Sequence, residues 1–213
     1  MGTDSDNPGL LRSAAKAGDV TSMLALAHEL TAQDRMEEAA KWFQRAADEN
    51  SAEAAYCFGE CRLFGKGVEA NPEEAVAYLV RAAEGGEHRA MDLLGVCHVR
   101  GLGVEIDHAT AVAWFEKAIE VGSATAFYNL GARFVQGQGV PRDVTRAAKL
   151  FGQGAARGNV VCMATYAQCL EAGYGVPQSV NDATTWYQKA ASMGNTKAMN
   201  WCRQREVGFD HPN

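Results

Sequence analysis

The sequence predicts an all-α fold in which short helices stack as successive repeats into a solenoid. Three observations lead to this prediction: glycines recur every 36 residues, apolar residues recur at helical spacing between them, and helix-capping residues recur at one fixed position. A period of this length is typical of repeat proteins, in which each unit buries its apolar face only against its neighbours.

Glycine loops mark the turn inside each repeat. They have the form Gly-X-Gly-Val, and glycine permits a sharp turn because it adopts backbone conformations that are closed to other residues. Lys66 in the first loop suggests a phosphate site. However, the lysine does not recur, and Gly67 follows it where a phosphate loop has Ser or Thr, so we interpret the glycines as structural. We expect Gly103→Val to disturb packing of the third and fourth repeats. The loops lie at 65–68, 101–104, 137–140 and 173–176.

The residues before each loop predict a first helix, and those after it predict a second. In residues 89–98, Ala90, Leu94 and Cys97 form an apolar stripe at helical spacing. The second helix begins after a residue that caps helices well and ends near another recurring glycine. In the shorter first repeat, Asp34 begins a similar capping box. The predicted caps are Asn71, Asp107, Asp143 and Ser179, and the terminal glycines are Gly86, Gly122, Gly158 and Gly194.

The period also sets the predicted domain organisation. We expect one repeat domain over residues 9–213, preceded by a flexible N-terminus at residues 1–8. Capping helices are expected to cover the two ends of the stack. The predicted segments are an N-terminal capping helix (9–19), a short repeat (20–51), four glycine-loop repeats (52–87, 88–123, 124–159 and 160–196), and a C-terminal capping helix with a tail (197–213).

Composition excludes several classes of function. The 213 residues carry a formal net charge of −6, which makes nucleic acid a poor candidate partner. No apolar run reaches the ~20 residues that a membrane-spanning helix needs, and no export signal is visible at the N-terminus. The six cysteines form no CxxC pair, so we expect reduced thiols, no metal, no cofactor and a cytoplasmic location.

The repeat pattern resembles the Sel1-like repeat, a relative of the tetratricopeptide repeat. The resemblance rests on A-x3-LG-x2-Y-x2-G-x-GV, a helix cap, and A-x2-WY-x-KAA-x2-G, in four units over residues 52–196. A shorter tetratricopeptide-like unit precedes them at 20–51. Departures are Ala167 for a glycine, Leu150-Phe151 for the Trp-Tyr pair, and replacement of the usual tyrosine in all four units, by Arg62, His98, Phe134 and Leu170.

The resemblance implies a right-handed α/α superhelix that acts as a non-catalytic scaffold or adaptor, here expected to be a monomer. It further implies that the first helices line a concave face, which would bind a peptide segment or a protein domain. Arg89 and Arg100 could hold an acidic group at the edge of an apolar floor. The predicted site residues are Tyr56, Glu60, Leu63, Phe64, Arg89, Asp92, Val96, Val99, Arg100, Tyr128, Val135, Gln136 and Gln168; Glu171 is a further candidate at the same offset.

Three alternatives stay open. Some exported cysteine-rich members of the broader family are linked to β-lactam hydrolysis, but the positions that match their cysteine pairs hold at most one cysteine here, Cys162. His98, Asp107 and His108 could form a metal or acid–base cluster, although a packing role for the imidazoles is favoured. Self-assembly through the terminal helix, with Trp201 and its neighbours, is the third.

Overall fold

A computed structural model describes residues 8–210, and every regular element in this range is an α-helix. Residues 1–7 of the predicted flexible N-terminus and residues 211–213 of the predicted tail lie outside the described residues. The helices are α1 (Pro8–Lys16), α2 (Val20–Ala32), α3 (Met36–Asp48), α4 (Ala52–Phe64), α5 (Pro72–Glu84), α6 (His88–Arg100), α7 (His108–Glu120), α8 (Ala124–Gln136), α9 (Val144–Ala156), α10 (Val160–Ala172), α11 (Val180–Ser192) and α12 (Thr196–Gln204).

The helices fall into two compact units. The N-terminal unit ends at Asp107 and contains α1–α6, whereas the C-terminal unit begins at His108 and contains α7–α12. Within each unit, every helix packs against the next one along the chain. In the C-terminal unit, α8 and α10 also contact each other, so the first helices of two successive repeats share a surface. The single domain over 9–213 stays a prediction.

The loop glycines have the backbone conformation that the sequence predicts. Gly103 and Gly139 have φ angles of 69° and 76°, in the left-handed region. A Cβ at Gly139 would lie 2.2 Å from the backbone oxygen of His108, and one at Gly103 would lie 2.1 Å from that of Pro72. Gly103, in the third repeat, therefore packs against the start of α5 in the second repeat. Its replacement is expected to disturb the second and third repeats, which corrects the expectation for the fourth.

The predicted caps of the second helices are confirmed at Asn71, Asp143 and Ser179, whose side chains accept hydrogen bonds from backbone amides of the first turn. The predicted Asp34 cap is wrong. Arg35 occupies the N-cap position of α3 without a side-chain cap, and Asp34 has a φ angle of 60° in the turn after α2. The turn has no glycine loop, and aspartate adopts the left-handed region more readily than most residues.

A second set of caps recurs at the same period but was not predicted. The first helices of the repeats begin at residues whose side chains accept a backbone hydrogen bond from the first turn. Polar residues at one register, just after the terminal glycines, were the available signal. These caps are Ser51, Glu87, Ser123, Asn159 and Asn195.

The core consists of small residues between larger ones. Leu79, Leu94 and Phe115 are buried to within 1% of complete burial, and alanines at 0% exposure flank them in the same helices. This alternation lets neighbouring helices approach closely. Within the described range, no helix has both the length and the apolarity required to cross a membrane.

Candidate functional site

A pocket of about 420 Å³ opens between α8 and α10 in the C-terminal unit. We call it the α8–α10 pocket. Its lining is mainly apolar and contains no side chain that carries a formal charge at neutral pH. The lining residues are Tyr128, Ala132, Val135 and Gln136 from α8, Phe151 from α9, Thr165, Gln168, Cys169 and Ala172 from α10, and Tyr174 from the following loop.

Three aromatic rings form the walls of the pocket. Phe151 is 4% exposed, and its ring centroid lies 5.9 Å from that of Tyr128. Gly131 allows this contact, because a Cβ there would lie 2.5 Å from the Phe151 ring. Tyr128 and Tyr174 remain 36% and 37% exposed, so their rings offer apolar surface to a ligand.

Polar groups surround the opening of the pocket. The amide side chains of Gln136 and Gln168 are exposed and have no hydrogen-bond partner among the described residues. Arg142 lies beside them: its Nη2 donates to the Tyr174 hydroxyl at 3.0 Å, and its Nε donates to the Val135 carbonyl at 3.2 Å. The opening therefore combines free amides with one guanidinium.

Cys169 forms part of the wall but has the properties of a packing residue. It is 5% exposed, and burial raises the pKa of its thiol. The thiolate, which is the nucleophilic form, is therefore disfavoured at neutral pH.

The structure brings four predicted residues together in this pocket: Tyr128, Val135, Gln136 and Gln168. Sequence reasoning missed the other six. The alanines among them leave the pocket open because their side chains are small. A search for recurring large side chains does not detect such positions. The available signals were the alanines at positions where other repeats have large side chains, and a tyrosine at the variable loop position. The missed residues are Ala132, Phe151, Thr165, Cys169, Ala172 and Tyr174.

In the N-terminal unit, three of the predicted residues on α4 are paired or buried, namely Tyr56, Glu60 and Leu63. The Arg89 guanidinium lies 4.6 Å from the ring centroid of Tyr56, and burial raises the pKa of Tyr56 to about 12. Glu60 accepts a hydrogen bond from the Lys66 ammonium at 2.9 Å. Leu63 is 6% exposed and belongs to the core, so its prediction as a groove residue is corrected.

Arg89 was predicted to hold an acidic partner group, but it has its own carboxylate. Its Nε and Nη2 donate to the two oxygens of Glu87 at 2.9 and 2.8 Å. This hydrogen bonding holds the pKa of Glu87 below its usual range and raises that of Arg89. The physical reason is local: Glu87 caps α6 only two residues before Arg89.

The other predicted residues of the N-terminal unit differ in exposure. Asp92, Val96 and Val99 on α6 are half-buried. Phe64 is 52% exposed at the end of α4, and Arg100 is exposed at the end of α6.

Glu171, the further candidate on α10, is occupied within the chain. Its carboxylate accepts hydrogen bonds from the Tyr187 hydroxyl at 3.1 Å, the Trp201 indole at 3.1 Å and Arg205 at 2.8 Å. The Tyr187 and Trp201 rings stack with centroids 4.1 Å apart. Glu171 therefore connects α10 to α11 and α12.

The described residues contain no group of three or more His, Cys, Asp or Glu side chains that could hold a metal ion. The Nδ1 atoms of His98 and His108 are buried without a hydrogen-bond partner in that part of the chain. All six cysteines are free and buried, and burial raises the pKa of each thiol.

Comparisons with known proteins agree with this architecture. A sequence model of the Sel1 repeat matches residues 28–51, 50–87, 88–123, 124–159 and 160–195. A comparison with curated proteins found no match.

Several solved structures are similar to the chain. A Sel1 repeat protein from Oxalobacter formigenes is 26% identical, with a TM-score of 0.83 over 93% of this chain and 89% of that one. A protective antigen of uropathogenic Escherichia coli with an SLR fold is 22% identical, with a TM-score of 0.71 over 97% and 54%. A Sel1 repeat protein from Klebsiella pneumoniae is 18% identical, with a TM-score of 0.61 over 94% and 100%. The predicted all-α solenoid fold is confirmed.

Proposed function

The chain belongs to the Sel1 repeat family, whose members are generally protein-interaction scaffolds, and on this premise we propose that it is a non-catalytic adaptor that binds a protein or peptide. The proposed binding surface is the α8–α10 pocket together with the exposed first-helix residues around it. The partner contributes an apolar group to the pocket, and the polar groups at the opening fix its position.

The single observation that carries this proposal is the pocket itself. It presents two half-exposed tyrosines over a buried aromatic floor, and its volume lies within the ~300–1,000 Å³ typical of ligand sites. Tyrosine is enriched among the residues that dominate binding energy at interfaces, because it combines a large apolar ring with a polar tip. The free amides of Gln136 and Gln168 supply the polar rim that such interfaces have.

The composition of the pocket also favours binding over catalysis. Its lining contains no histidine, carboxylate or lysine, and its one thiol has a raised pKa. General acid–base and nucleophilic chemistry both need a group with a suitable pKa close to the substrate. A β-lactam-hydrolysing enzyme is therefore the weaker hypothesis. The buried free thiols support the proposed cytoplasmic location; the monomeric state is proposed alongside.

The test is affinity capture from lysate of the source organism, read by mass spectrometry. Wild type is compared with Tyr128→Ala/Gln168→Ala in the C-terminal unit and with the matched control Phe64→Ala/Arg100→Ala in the N-terminal unit. Circular dichroism establishes that all three are folded. We expect a protein that wild type and the control retain and that the Tyr128 variant loses, and purified components should then bind with the same pattern. Retention by the Tyr128 variant would contradict the proposed site.

A further inference from the structure

We propose that the partner segment carries an acidic side chain next to its apolar anchor, and that this carboxylate pairs with Arg142 while the anchor fills the α8–α10 pocket. This inference rests on the proposed function and specifies the chemistry of the partner. It commits to an extended peptide segment as the occupant.

Arg142 is held at the edge of the pocket by two residues that line it. Its Nη2 bonds the hydroxyl of Tyr174, and its Nε bonds the carbonyl of Val135. These two hydrogen bonds fix the direction of the guanidinium but leave its other N–H donors free for a ligand. A preorganised guanidinium is suited to carboxylate recognition, because its planar donors match the two oxygens of that group.

The guanidinium of Arg142 places a positive charge at the opening of the pocket. Arg142 has no ion pair with any described residue, and the pocket lining has no formal charge. Glu171, the one carboxylate on α10, is already bonded to Tyr187, Trp201 and Arg205. An exposed cation beside an apolar pocket is complementary to a segment that is both apolar and acidic.

Gln136 and Gln168 add a means of binding the backbone of the segment. Their exposed amides each offer both a donor and an acceptor, as a peptide group does. Because Arg142 bonds two residues that line the pocket, the anchor and the acidic side chain would lie close together along an extended segment.

The chain itself provides the control substitution. Gln178 occupies, one repeat later, the position of Arg142, and its Nε2 donates to the carbonyl of Glu171 at 2.7 Å, as Arg142 Nε does to the equivalent Val135 carbonyl. Arg142→Gln therefore removes the charge while preserving the local hydrogen bond. Arg142→Lys restores the charge without the planar fork.

The experiment selects random decapeptides displayed on phage against the full chain, with wild type, Arg142→Gln, Arg142→Lys and Tyr128→Ala tested in parallel. We expect wild type and Arg142→Lys to enrich peptides that have an aliphatic or aromatic residue with Asp or Glu nearby. Arg142→Gln should retain the apolar preference and lose the acidic one. A synthetic peptide from the wild-type pool should bind Arg142→Gln about two- to five-fold more weakly, as expected for one exposed ion pair. The affinity of this peptide for wild type should fall between about 0.05 and 0.5 M salt, because salt screens the ion pair with Arg142. Its affinity for Arg142→Gln should not show that fall.

Two failures are distinguishable. If the selected peptides bind in a Tyr128-dependent way but are proline-rich or purely apolar, the proposal of an acidic partner is contradicted. The proposed function is then unaffected. If Tyr128→Ala selects the same peptides as wild type, both the acidic partner and the proposed binding site are contradicted. Light scattering of the free protein supplies a further test, because a doubled mass that is lost in Tyr128→Ala would show that a second copy of the chain, not an acidic peptide, occupies the pocket.

Discussion

The α8–α10 pocket of the C-terminal unit has a counterpart between α4 and α6 of the N-terminal unit, two repeats earlier, and the two surfaces differ mainly in side-chain size. Both begin with a tyrosine, Tyr128 in one and Tyr56 in the other. Ala132, Thr165 and Ala172 of the pocket correspond to Glu60, Leu93 and Arg100 in the N-terminal unit. The same pair of helices therefore carries either an open pocket or a surface filled by side chains, depending on the residues at a few positions.

The tyrosines themselves show the same contrast. Arg89 lies over the ring of Tyr56, whereas the equivalent of Arg89 in the C-terminal unit is Val161, which cannot form a cation–π contact with Tyr128. Charged pairs thus cover the N-terminal surface. Tyr128 keeps a ring face available to a ligand.

The largest predicted effect tests what the two units share, which is the backbone. Gly67→Ala and Gly139→Ala should each cost about 3 kcal/mol or more of unfolding free energy, because both glycines have positive φ and their Cβ atoms would lie 2.3 and 2.2 Å from backbone atoms. Gly158→Ala is the control. It has a φ of 89° but nothing within 4 Å, so only about 1–2 kcal/mol of conformational strain is expected. Urea denaturation measures all three, and equal costs for Gly139→Ala and Gly158→Ala would contradict the close approach.

The next prediction exchanges the surfaces. Ala132→Glu/Ala172→Arg should fill the pocket with the side chains of the N-terminal unit and weaken partner binding about 30-fold, which corresponds to roughly 2 kcal/mol for an interface centre. Folding stability should change by only ~0.5 kcal/mol, because neither position is fully buried. Glu60→Ala/Arg100→Ala is the reciprocal control and should leave binding unchanged in calorimetry. Undiminished binding by the filled variant would show that the partner docks elsewhere.

Some features of the fold and of the pocket could be predicted from the sequence, and others could not. The recurring glycines and caps predicted the helical repeat, since each has a local physical cause that does not depend on distant residues. The Asp34 cap was mispredicted because its turn has no glycine loop to set the register. The pairing of Arg89 with Glu87 was not predicted, because it depends on side-chain conformation, which the period does not reveal. Ala132 and Ala172 were overlooked because an open space leaves no residue pattern.

Two cysteines at equivalent positions, Cys97 and Cys169, should contribute differently to the loss of folding stability at alkaline pH. Cys97 is 0% exposed, and burial raises its pKa to about 11; Cys169 in the pocket wall is 5% exposed, with its pKa raised in the same direction. Above pH ~9 the unfolded chain releases these protons while the folded chain retains them, so unfolding free energy falls as the pH rises towards the folded pKa. Each thiol contributes at most about 1.4 kcal/mol per pH unit.

The measurement is urea denaturation of wild type, Cys97→Ala and Cys169→Ala at several pH values from about 8 to 10.5. Each substitution should flatten the alkaline loss of stability, and Cys97→Ala should flatten it more, because its thiol is the more completely buried. A larger flattening for Cys169→Ala would contradict this prediction, since it would mean that the Cys169 thiol is no more accessible to water than the Cys97 thiol.

The smallest predicted effect concerns the charged pairs that cover the N-terminal surface. Lys66→Ala removes both the Glu60 ion pair and the contact of the ammonium with the Phe64 ring, 5.6 Å away. The Lys66 and Glu60 side chains are 47% and 34% exposed, so we expect a loss of about 0.5 kcal/mol or less in thermal or urea denaturation. A loss of several kcal/mol of unfolding free energy would contradict this prediction and show that the Lys66–Glu60 pair contributes substantially to folding stability. The expected small loss instead means that these charges determine what the surface can bind, while the glycine loops and buried alanines that both units share determine its stability.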